Sequence, residues 1–306
     1  MLTQDRTDAR TFINELKNIK GEVLVDDYSL GMYSTDASFY QIKPLAVVLP
    51  LDESDVKKTV EIARTHKLKL LPRGGGTSLA GQTVGEAIVI DFSKYMNKIL
   101  EFNEQERWVK VQPGLVRDEL NETMAQYGLH FAPDPATSSR ANVGGMVGNN
   151  SSGTKSILYG KTVDHILEAK VLLADGTELL LKELSAQEFH KKAQQKDREG
   201  DIYKNIQDTI HEHQEEIKKR FPKVMRRVGG YNLDEFVYTD RWNLAKLITG
   251  SEGTLAVSLE LKLNLEPLPK FKSVVVVHFA ELLEAIRAVQ PMLPYKPSAI
   301  EIVDRT

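Results

Sequence analysis

The chain has 306 residues, with 40 Lys and Arg against 43 Asp and Glu, and a formal net charge of −3. Hydrophobic residues make up 41% and charged residues 27%, which is typical of a folded protein and argues against wholesale disorder. The slight acidic excess argues against nucleic acid as the main partner, because phosphate backbones are bound by basic surfaces. The chain lacks cysteine, so it cannot by itself form a disulfide, a zinc–thiolate site or an iron–sulfur cluster.

The chain also lacks the patterns of a targeting or membrane segment. Its first residues are polar, so we expect no secretory signal. It has no run of about 18 apolar residues, so we expect no transmembrane segment. We therefore expect a cytoplasmic protein, with peripheral attachment to a membrane as an open alternative.

The sequence of the first half of the chain predicts alternating strands and helices. A helix is predicted at residues 7–20, within an N-terminal helical segment that we assign to residues 1–40. An apolar strand at 45–49, a helix after Ser54 and a second strand at 68–71 follow. Two strands joined by a helix within about 30 residues are typical of parallel pairing.

A glycine-rich loop stands directly after the second of these strands. Gly74, Gly75 and Gly76 are consecutive, and Thr77 and Ser78 add hydroxyl groups. Residues without side chains let backbone N–H groups approach an anion, so the loop predicts a cradle for a phosphate or diphosphate. The alternative is a tight turn without a ligand. Ordering three consecutive glycines costs backbone entropy, which a turn alone would not offset. The spacing differs from the G-x-G-x-x-G dinucleotide fingerprint.

A second glycine-rich stretch runs from residue 142 to residue 160. Residues 148–156 nearly match the P-loop of nucleoside triphosphatases, but Thr154 is one residue too many and displaces Lys155. We interpret this stretch as a second backbone-lined wall of the same ligand site.

The remaining elements are predicted from apolar patterns and turn residues. A charged stretch at 185–200 is interpreted as a solvated insertion, and a polar glycine loop at 250–254 precedes an alternating strand. The predicted elements of this part are a strand at 108–111, a helix at 116–127, a hairpin at 168–181, a helix at 203–220 and a strand at 255–265. Beyond Pro267 and Pro269 we predict a strand at 272–279, a helix at 280–290 and a strand at 299–303.

Taken in order, these motifs resemble the FAD-linked oxidases and dehydrogenases of the vanillyl-alcohol-oxidase superfamily. The resemblance is greatest to the branch that holds glycolate oxidase subunits and the D-lactate and D-2-hydroxyglutarate dehydrogenases, and in particular to the N-terminal part of a larger member. The matching blocks lie at residues 33–38, 43–44, 72–81, 111–114, 133–135, 143–153, 159–160, 173–176, 230–233 and 249–255.

The resemblance implies an α+β fold. It implies a two-lobed PCMH-type FAD-binding domain at residues 41–268, with the lobes divided near residue 180. It also implies that residues 269–306 are the truncated beginning of a ferredoxin-like cap domain for the substrate.

The same resemblance implies that FAD lies between the lobes, with its diphosphate at the first glycine loop. Some relatives attach FAD through a histidine at the position of Thr77, and the chain has no cysteine for attachment, so we expect non-covalent FAD. The implied cofactor-binding residues are Arg73, Gly74, Gly75, Gly76, Thr77, Ser78, Gly81, Gln82, Pro133, Thr137, Ser138, Gly144, Gly145, Asn149, Ser151, Gly153, Glu252, Gly253 and Thr254.

The implied reaction is oxidation of a D-2-hydroxy acid by hydride transfer to flavin N5, with an electron acceptor that the sequence does not identify. We expect the catalytic residues, and any metal or iron–sulfur cluster, beyond Thr306, so the chain should be inactive alone. Within the chain we expect no metal site; Arg226, Tyr231 and Asn232 are the substrate-side candidates. His130 and His165 are expected to pack rather than react. The alternatives are a flavoenzyme resembling UDP-N-acetylenolpyruvoylglucosamine reductase and a non-catalytic flavin-binding module.

Overall fold

The first lobe is built on a four-stranded sheet. The computed structural model describes residues 11–304. The strands stand in the order β1-β2-β4-β3, with β2, β4 and β3 parallel and β1 antiparallel to β2. Parallel pairing was predicted from the strand–helix–strand pattern and is confirmed. The elements are β1 (Glu22–Leu24), α1 (Asp27–Met32), β2 (Ala46–Leu49), α2 (Glu53–Thr65), β3 (Leu70–Arg73) and β4 (Ile88–Asp91).

The N-terminal segment is part of this lobe rather than a separate unit. Residues 11–16 are helical, and Phe12 and Leu16 pack in one apolar cluster with Val48 and Ile88 of the sheet. β1 extends the sheet through its pairing with β2. The predicted boundary at residue 40 therefore does not separate two cores, and the part of the predicted helix before residue 11 lies outside the described residues.

The second lobe is built on an antiparallel sheet in the order β10-β9-β8-β11-β6-β5. The change from one sheet to the other falls between Asp91 and Ile99. Residue 180 lies inside β9, where Leu181 pairs with Ala169 of β8, so the predicted division near 180 is wrong. The strands are β5 (Ile99–Asn103), β6 (Trp108–Val111), β8 (Ile166–Leu172), β9 (Glu178–Ser185), β10 (Arg241–Asn243) and β11 (Val257–Asn264), and a separate pair is formed by β7 (Leu129–His130) and β12 (Glu266–Pro267).

Helices cover the second sheet, and two of them replace the predicted solvated insertion. Residues 185–200 contain α6 and the first turn of α7, and Phe189 packs against Tyr203 and Trp242 with ring centres 4.7 and 4.9 Å apart. The polar composition conceals this buried side, so the prediction of a solvated insertion is wrong. The helices are α3 (Arg117–Ala125), α4 (Val143–Asn149), α5 (Ser156–Tyr159), α6 (Ala186–Ala193), α7 (Arg198–Arg220) and α8 (Ala245–Ile248), with 3-10 turns at Thr162–Asp164, Leu233–Phe236 and Leu293–Tyr295.

The C-terminal part contains one predicted helix and neither predicted strand. The helix is α9 (Leu282–Met292), but residues 272–279 and 299–303 have no strand pairing. Val274 and Val275 have the side chains of a strand, yet they are 89% and 82% exposed, because no neighbouring strand in the described residues pairs with them. The beginning of a cap domain therefore stays a prediction. No helix within residues 11–304 is both long enough and apolar enough to span a membrane.

Candidate functional site

The first glycine loop leaves the carboxyl end of β3 and packs tightly against residues 140–142. A Cβ atom on Gly75 would lie 2.2 Å from the carbonyl oxygen of Arg140, and one on Gly74 would lie 2.9 Å from the side chain of Asn142. Real Cβ atoms do not approach other heavy atoms this closely, so a larger residue at either position would force the loop or its neighbour to shift. The consecutive glycines thus follow from contacts within the protein, a reason that the sequence did not reveal.

The backbone amides of this loop have no partner within the described part of the chain. No N–H group of residues 74–83 has a hydrogen-bond acceptor among residues 11–304, although none of these residues is proline. Backbone N–H groups in folded proteins are nearly always paired with protein or water. A run of unpaired amides in one loop fits the oxygen atoms of an anion such as a diphosphate.

The stretch that we interpret as the second wall is a short helix followed by a loop. α4 ends at Asn149, and its C-cap residue Asn150 has a left-handed backbone (φ 54°). Gly145 and Gly148 lie in this helix with no atom within 4 Å of an added Cβ, so their side of the helix is open. Lys155 Nζ lies 3.3 Å from the Asp134 carboxylate. This lysine is therefore engaged within the protein, as expected for a stretch that is not a P-loop.

A chain of side-chain hydrogen bonds connects the two lobes at the site. Ser78 bonds to Gln82, and Gln82 Nε2 lies 3.5 Å from Glu252 Oε1. Asn149 Nδ2 donates to the same carboxylate oxygen at 2.9 Å. Burial raises the pKa of the Glu252 carboxyl, and the two amide donors oppose this effect. Four of the predicted cofactor-binding residues thus meet one another.

The loop that carries Glu252 also approaches both walls through its backbone. The N–H of Glu252 donates to the carbonyl oxygen of Gly148 at 2.9 Å. A Cβ atom on Gly253 would lie 3.5 Å from Pro72, and Glu252 itself has a left-handed backbone (φ 52°). The segments 72–82, 142–153 and 249–254 therefore converge as predicted from their motifs.

The predicted residues between 133 and 153 brace this region. Ser138 Oγ donates to Asp118 Oδ2 at 2.9 Å, and the carbonyl oxygen of Pro133 accepts from Arg117 Nε at 3.0 Å. The carbonyl oxygen of Thr137 accepts from the N–H groups of Arg140 and Ala141 at 2.8 Å. These bonds hold the segment that packs on Gly75. Gly144 and Gly153 pack against Pro113 and Asp134, and the carbonyl oxygen of Ser151 accepts from Thr162.

The substrate-side candidates have different environments. Asn232 is 1% exposed; its amide donates to the carbonyl oxygens of Lys246 and Thr249 at 3.0 and 2.7 Å, and its oxygen accepts from Arg227. This buried amide cannot reach a substrate, so the structure contradicts the prediction for Asn232.

The other two candidates lie beside the glycine segments. Arg226 Nε donates to Ser156 Oγ at 2.6 Å, and its NH2 group donates to the carbonyl oxygen of Gly153 at 3.1 Å. Tyr231 is 42% exposed, and its hydroxyl lies 2.9 Å from Thr254 Oγ1. Of the three, Tyr231 has an exposed ring at the converging loops, whereas Arg226 is tied to the second wall.

One residue of the site was missed by the sequence analysis. Asn142 is 2% exposed, its Nδ2 group donates to the carbonyl oxygen of Gly114, and its Oδ1 atom has no partner within the described chain. This oxygen faces Gly74 and Gly75. An asparagine directly before a helix indicates a cap, which was the available signal.

The histidines pack as expected. His130 Nδ1 lies 3.0 Å from the carbonyl oxygen of Glu266, and His165 Nε2 lies 2.7 Å from that of Tyr159. Burial lowers the pKa of His130. Residues 11–304 contain no group of three or more side chains that could hold a metal ion.

Known proteins support the cofactor that the site geometry fits. The model of the family described as FAD binding domain matches residues 44–182. D-2-hydroxyglutarate dehydrogenase of Pseudomonas putida is 38% identical over 302 residues, which cover 96% of this chain and 30% of that protein. Glycolate oxidase subunit GlcD of Bacillus subtilis is 27% identical over 297 residues, covering 95% of this chain and 53% of the relative.

Solved structures show the same fold. An alkyldihydroxyacetonephosphate synthase superposes with a TM-score of 0.65 at 20% identity, over 95% of this chain and 47% of that one. For 6-hydroxy-D-nicotine oxidase from Arthrobacter nicotinovorans the TM-score is 0.55 at 19% identity, over 83% of this chain and 44% of that one.

These matches confirm the α+β fold, the resemblance to FAD-linked oxidases and dehydrogenases, and FAD as the cofactor. The chain spans about 30% of the length of the D-2-hydroxyglutarate dehydrogenases that it matches. Residues 44–182 match the FAD binding domain family.

Proposed function

We propose that this chain binds FAD without a covalent bond, as the flavin-binding part of an enzyme that oxidises a D-2-hydroxy acid. The observation that carries the proposal is the run of backbone amides at residues 74–83 that have no acceptor among residues 11–304. In an FAD binding domain, the group that such a run suits is the diphosphate. The names of the relatives supply the substrate class, since D-2-hydroxyglutarate and glycolate both carry a hydroxyl beside a carboxylate.

Three segments would hold the cofactor. The amides of 74–83, with the hydroxyls of Thr77 and Ser78, would bind the diphosphate. The open side of α4 at Gly145 and Gly148 would face the remainder of FAD. So would the amides of residues 152–154, which have no acceptor in the structure as described. The loop at 252–254 would close the site from the second lobe.

The contribution of this chain to the reaction is binding and orientation. When bound, FAD supplies the acceptor for a hydride from the carbon that bears the substrate hydroxyl. The chain has no cysteine, and His130 and His165 each have a ring nitrogen engaged by a backbone carbonyl. These facts support non-covalent attachment. Little or no turnover is expected from the 306 residues alone.

The test is the visible spectrum of the purified protein after incubation with FAD. The proposal predicts bound flavin that stays with the protein on gel filtration and leaves it on acid precipitation. Failure to bind FAD would refute the proposal, and colour in the acid pellet would refute non-covalent attachment. Rapid anaerobic bleaching by NADPH would instead favour a reductase, and rapid bleaching by D-lactate or D-2-hydroxyglutarate would show that the chain suffices for hydride transfer from the substrate to FAD.

A further inference from the structure

The guanidinium of Arg73 is enclosed by backbone carbonyl groups. Its NH1 group donates to the carbonyl oxygens of Tyr33 and Thr83 at 3.1 and 3.0 Å, and its NH2 group donates to that of Thr35 at 2.8 Å. The guanidinium carbon lies 5.2 Å from the centre of the Tyr33 ring. The side chain thus ties the two ends of the glycine loop to the segment 33–38, which we call the strap.

The ring that covers Arg73 is itself fixed. Tyr33 donates its hydroxyl hydrogen to Asp91 Oδ2 at 2.6 Å, and Asp91 is 6% exposed. Burial and the Asp91 carboxylate raise the pKa of Tyr33, so the hydroxyl remains protonated and continues to donate. Arg73 and Asp91 are paired neighbours on β3 and β4, which places the cation, the ring and the carboxylate in one partly buried group.

The strap also bonds directly to the loop. The N–H of Ala37 donates to the carbonyl oxygen of Gly76 at 3.0 Å, and Thr83 Oγ1 donates to Asp36 Oδ2 at 2.9 Å. A Cβ atom on Gly76 would lie 2.7 Å from the Arg73 NH2 atom, and Gly76 has a left-handed backbone (φ 64°). The loop is therefore shaped around the guanidinium.

We propose that Arg73 is a positioning residue for the diphosphate cradle and does not bind the diphosphate itself. Held by the strap, its guanidinium sets the curvature of residues 74–83 and so directs their free amides toward the ligand. If Arg73 turned toward a ligand, three carbonyl groups would lose their partner, which opposes the movement. This inference rests on the proposed function and names which groups of the predicted set touch phosphate.

The test is a double-mutant cycle on Arg73→Lys and Tyr33→Phe, with the dissociation constants of FAD and of riboflavin, which lacks phosphate, as readouts. Tyr33→Phe removes only the hydroxyl bond to Asp91. We expect each single variant to bind FAD about tenfold more weakly, because each loses a hydrogen bond that involves a charged group. Riboflavin binding should change less than about twofold, and the double variant should be little worse than either single one.

The unliganded proteins provide a second readout that does not depend on FAD. Hydrogen exchange at the Ala37 N–H, which is bonded to Gly76, should accelerate in both variants. The matched control is Tyr40→Phe, because the Tyr40 ring lies beside Gly81 at the other end of the loop. Its FAD affinity and its Ala37 exchange should remain those of the wild type.

The inference is overturned if Tyr33→Phe binds FAD like the wild type while Arg73→Lys does not, since Arg73 would then contact phosphate directly. It is also overturned if neither variant changes Ala37 exchange. A wild-type protein that binds no FAD would contradict the proposed function instead, and the exchange result would still decide whether Arg73 shapes the loop.

Discussion

Packing against a neighbouring segment of the protein requires a residue without a side chain at position 75. The carbonyl oxygen of Arg140 occupies the space that a Cβ would need. Arg140 belongs to the segment that leads into α4, so a shift at residue 75 would alter both walls of the site at once. Residue 75 therefore links the packing of the loop to its ability to hold a ligand.

Gly75→Ala should weaken FAD binding by about tenfold or more, because the loop must move away from Arg140 to admit a methyl group. FAD titration followed by flavin fluorescence measures this effect. The control is Gly31→Ala in α1, where no atom lies within 4 Å of the added Cβ. That change should leave FAD binding unaltered and add about 0.5–1 kcal/mol to the free energy of unfolding. Unaltered FAD affinity in Gly75→Ala would contradict the packing argument.

Glu252→Gln should change how stability depends on pH. Burial raises the pKa of Glu252 above its ordinary 4.5. The folded state therefore favours the protonated carboxyl, and its contribution to stability is lost as the pH rises from about 4.5 through the raised pKa. A glutamine stays neutral, so Glu252→Gln should gain stability relative to the wild type across this range.

Urea unfolding of the unliganded proteins at pH 4.5 and pH 7.5 measures that gain. The same substitution at Glu212, on the exposed surface of α7, is the control. A gain that is absent, or that grows toward low pH, would refute the assignment of a desolvated carboxyl at residue 252.

At this scale, the sequence predicted which segments form the site better than it predicted what each side chain does. Gly74, Gly75 and Gly76 were identified from their run, but the contacts that require them involve Arg140 and Asn142, far along the chain. The buried amide of Asn232 was misassigned because its acceptors, on Lys246 and Thr249, come together only in the fold.

At the scale of elements, α2 shows how a local signal fixes a boundary. Asp52 accepts the N–H of Ser54 at 2.8 Å and pairs with Lys20 at 2.7 Å. The apolar side of α2 buries Val56 and Val60 against β4 and the second sheet. Periodicity predicted this helix, but the helix begins at Glu53 with Asp52 as its cap, whereas the sequence analysis placed its start after Ser54.

Asp52→Ala should lower the free energy of unfolding at pH 7 by about 1 kcal/mol, since it removes the cap. Asp52→Asn keeps an acceptor oxygen and should cost less. Lys20 and Ser54 lower the pKa of Asp52 from 3.8 to about 2. The stability that the charge adds is therefore present above pH 3.8 and is lost as the pH falls through about 2. Thermal unfolding of the variants at pH 7 and at pH 2 measures both effects. An equal loss of stability in Asp52→Ala and Asp52→Asn at pH 7 would contradict the role of Asp52 as a cap.

Elements whose partners are distant or absent were predicted less well. Val274 and Val275 are typical strand residues, but a strand forms only beside another strand, and none pairs with them in the described residues. Conversely, the charged stretch at 185–200 buries Phe189 through Tyr203 and Trp242, which local composition cannot show.

At the scale of the whole molecule, ion pairs join the lobes away from the glycine loops. Lys170 of β8 lies 2.6 Å from Glu53 at the start of α2 and 3.4 Å from Glu260 of β11. Lys57 of α2 pairs with Glu178 of β9 at 2.7 Å. These pairs help to fix the orientation of the two lobes that enclose the site.

Lys170→Met should destabilise the protein by about 1 kcal/mol at low salt, because it leaves Glu53 and Glu260 facing each other without a cation. The loss should shrink in 1 M NaCl, where charges are screened. Lys182→Met, on the exposed part of the adjacent strand, is the matched control and should have little effect. Denaturant unfolding at two salt concentrations measures both; equal losses in the two variants would argue against a specific link between the lobes.

The most direct test of the account is backbone hydrogen exchange with and without FAD. The N–H groups of residues 74–83 have no hydrogen-bond acceptors in the described structure. They should therefore exchange rapidly in the unliganded protein and at least about tenfold more slowly once FAD is bound. Riboflavin, which has no diphosphate, should not protect them. Saturating FAD that leaves exchange at 74–83 unchanged, or protects only other segments, would contradict the assignment of this loop as the diphosphate cradle.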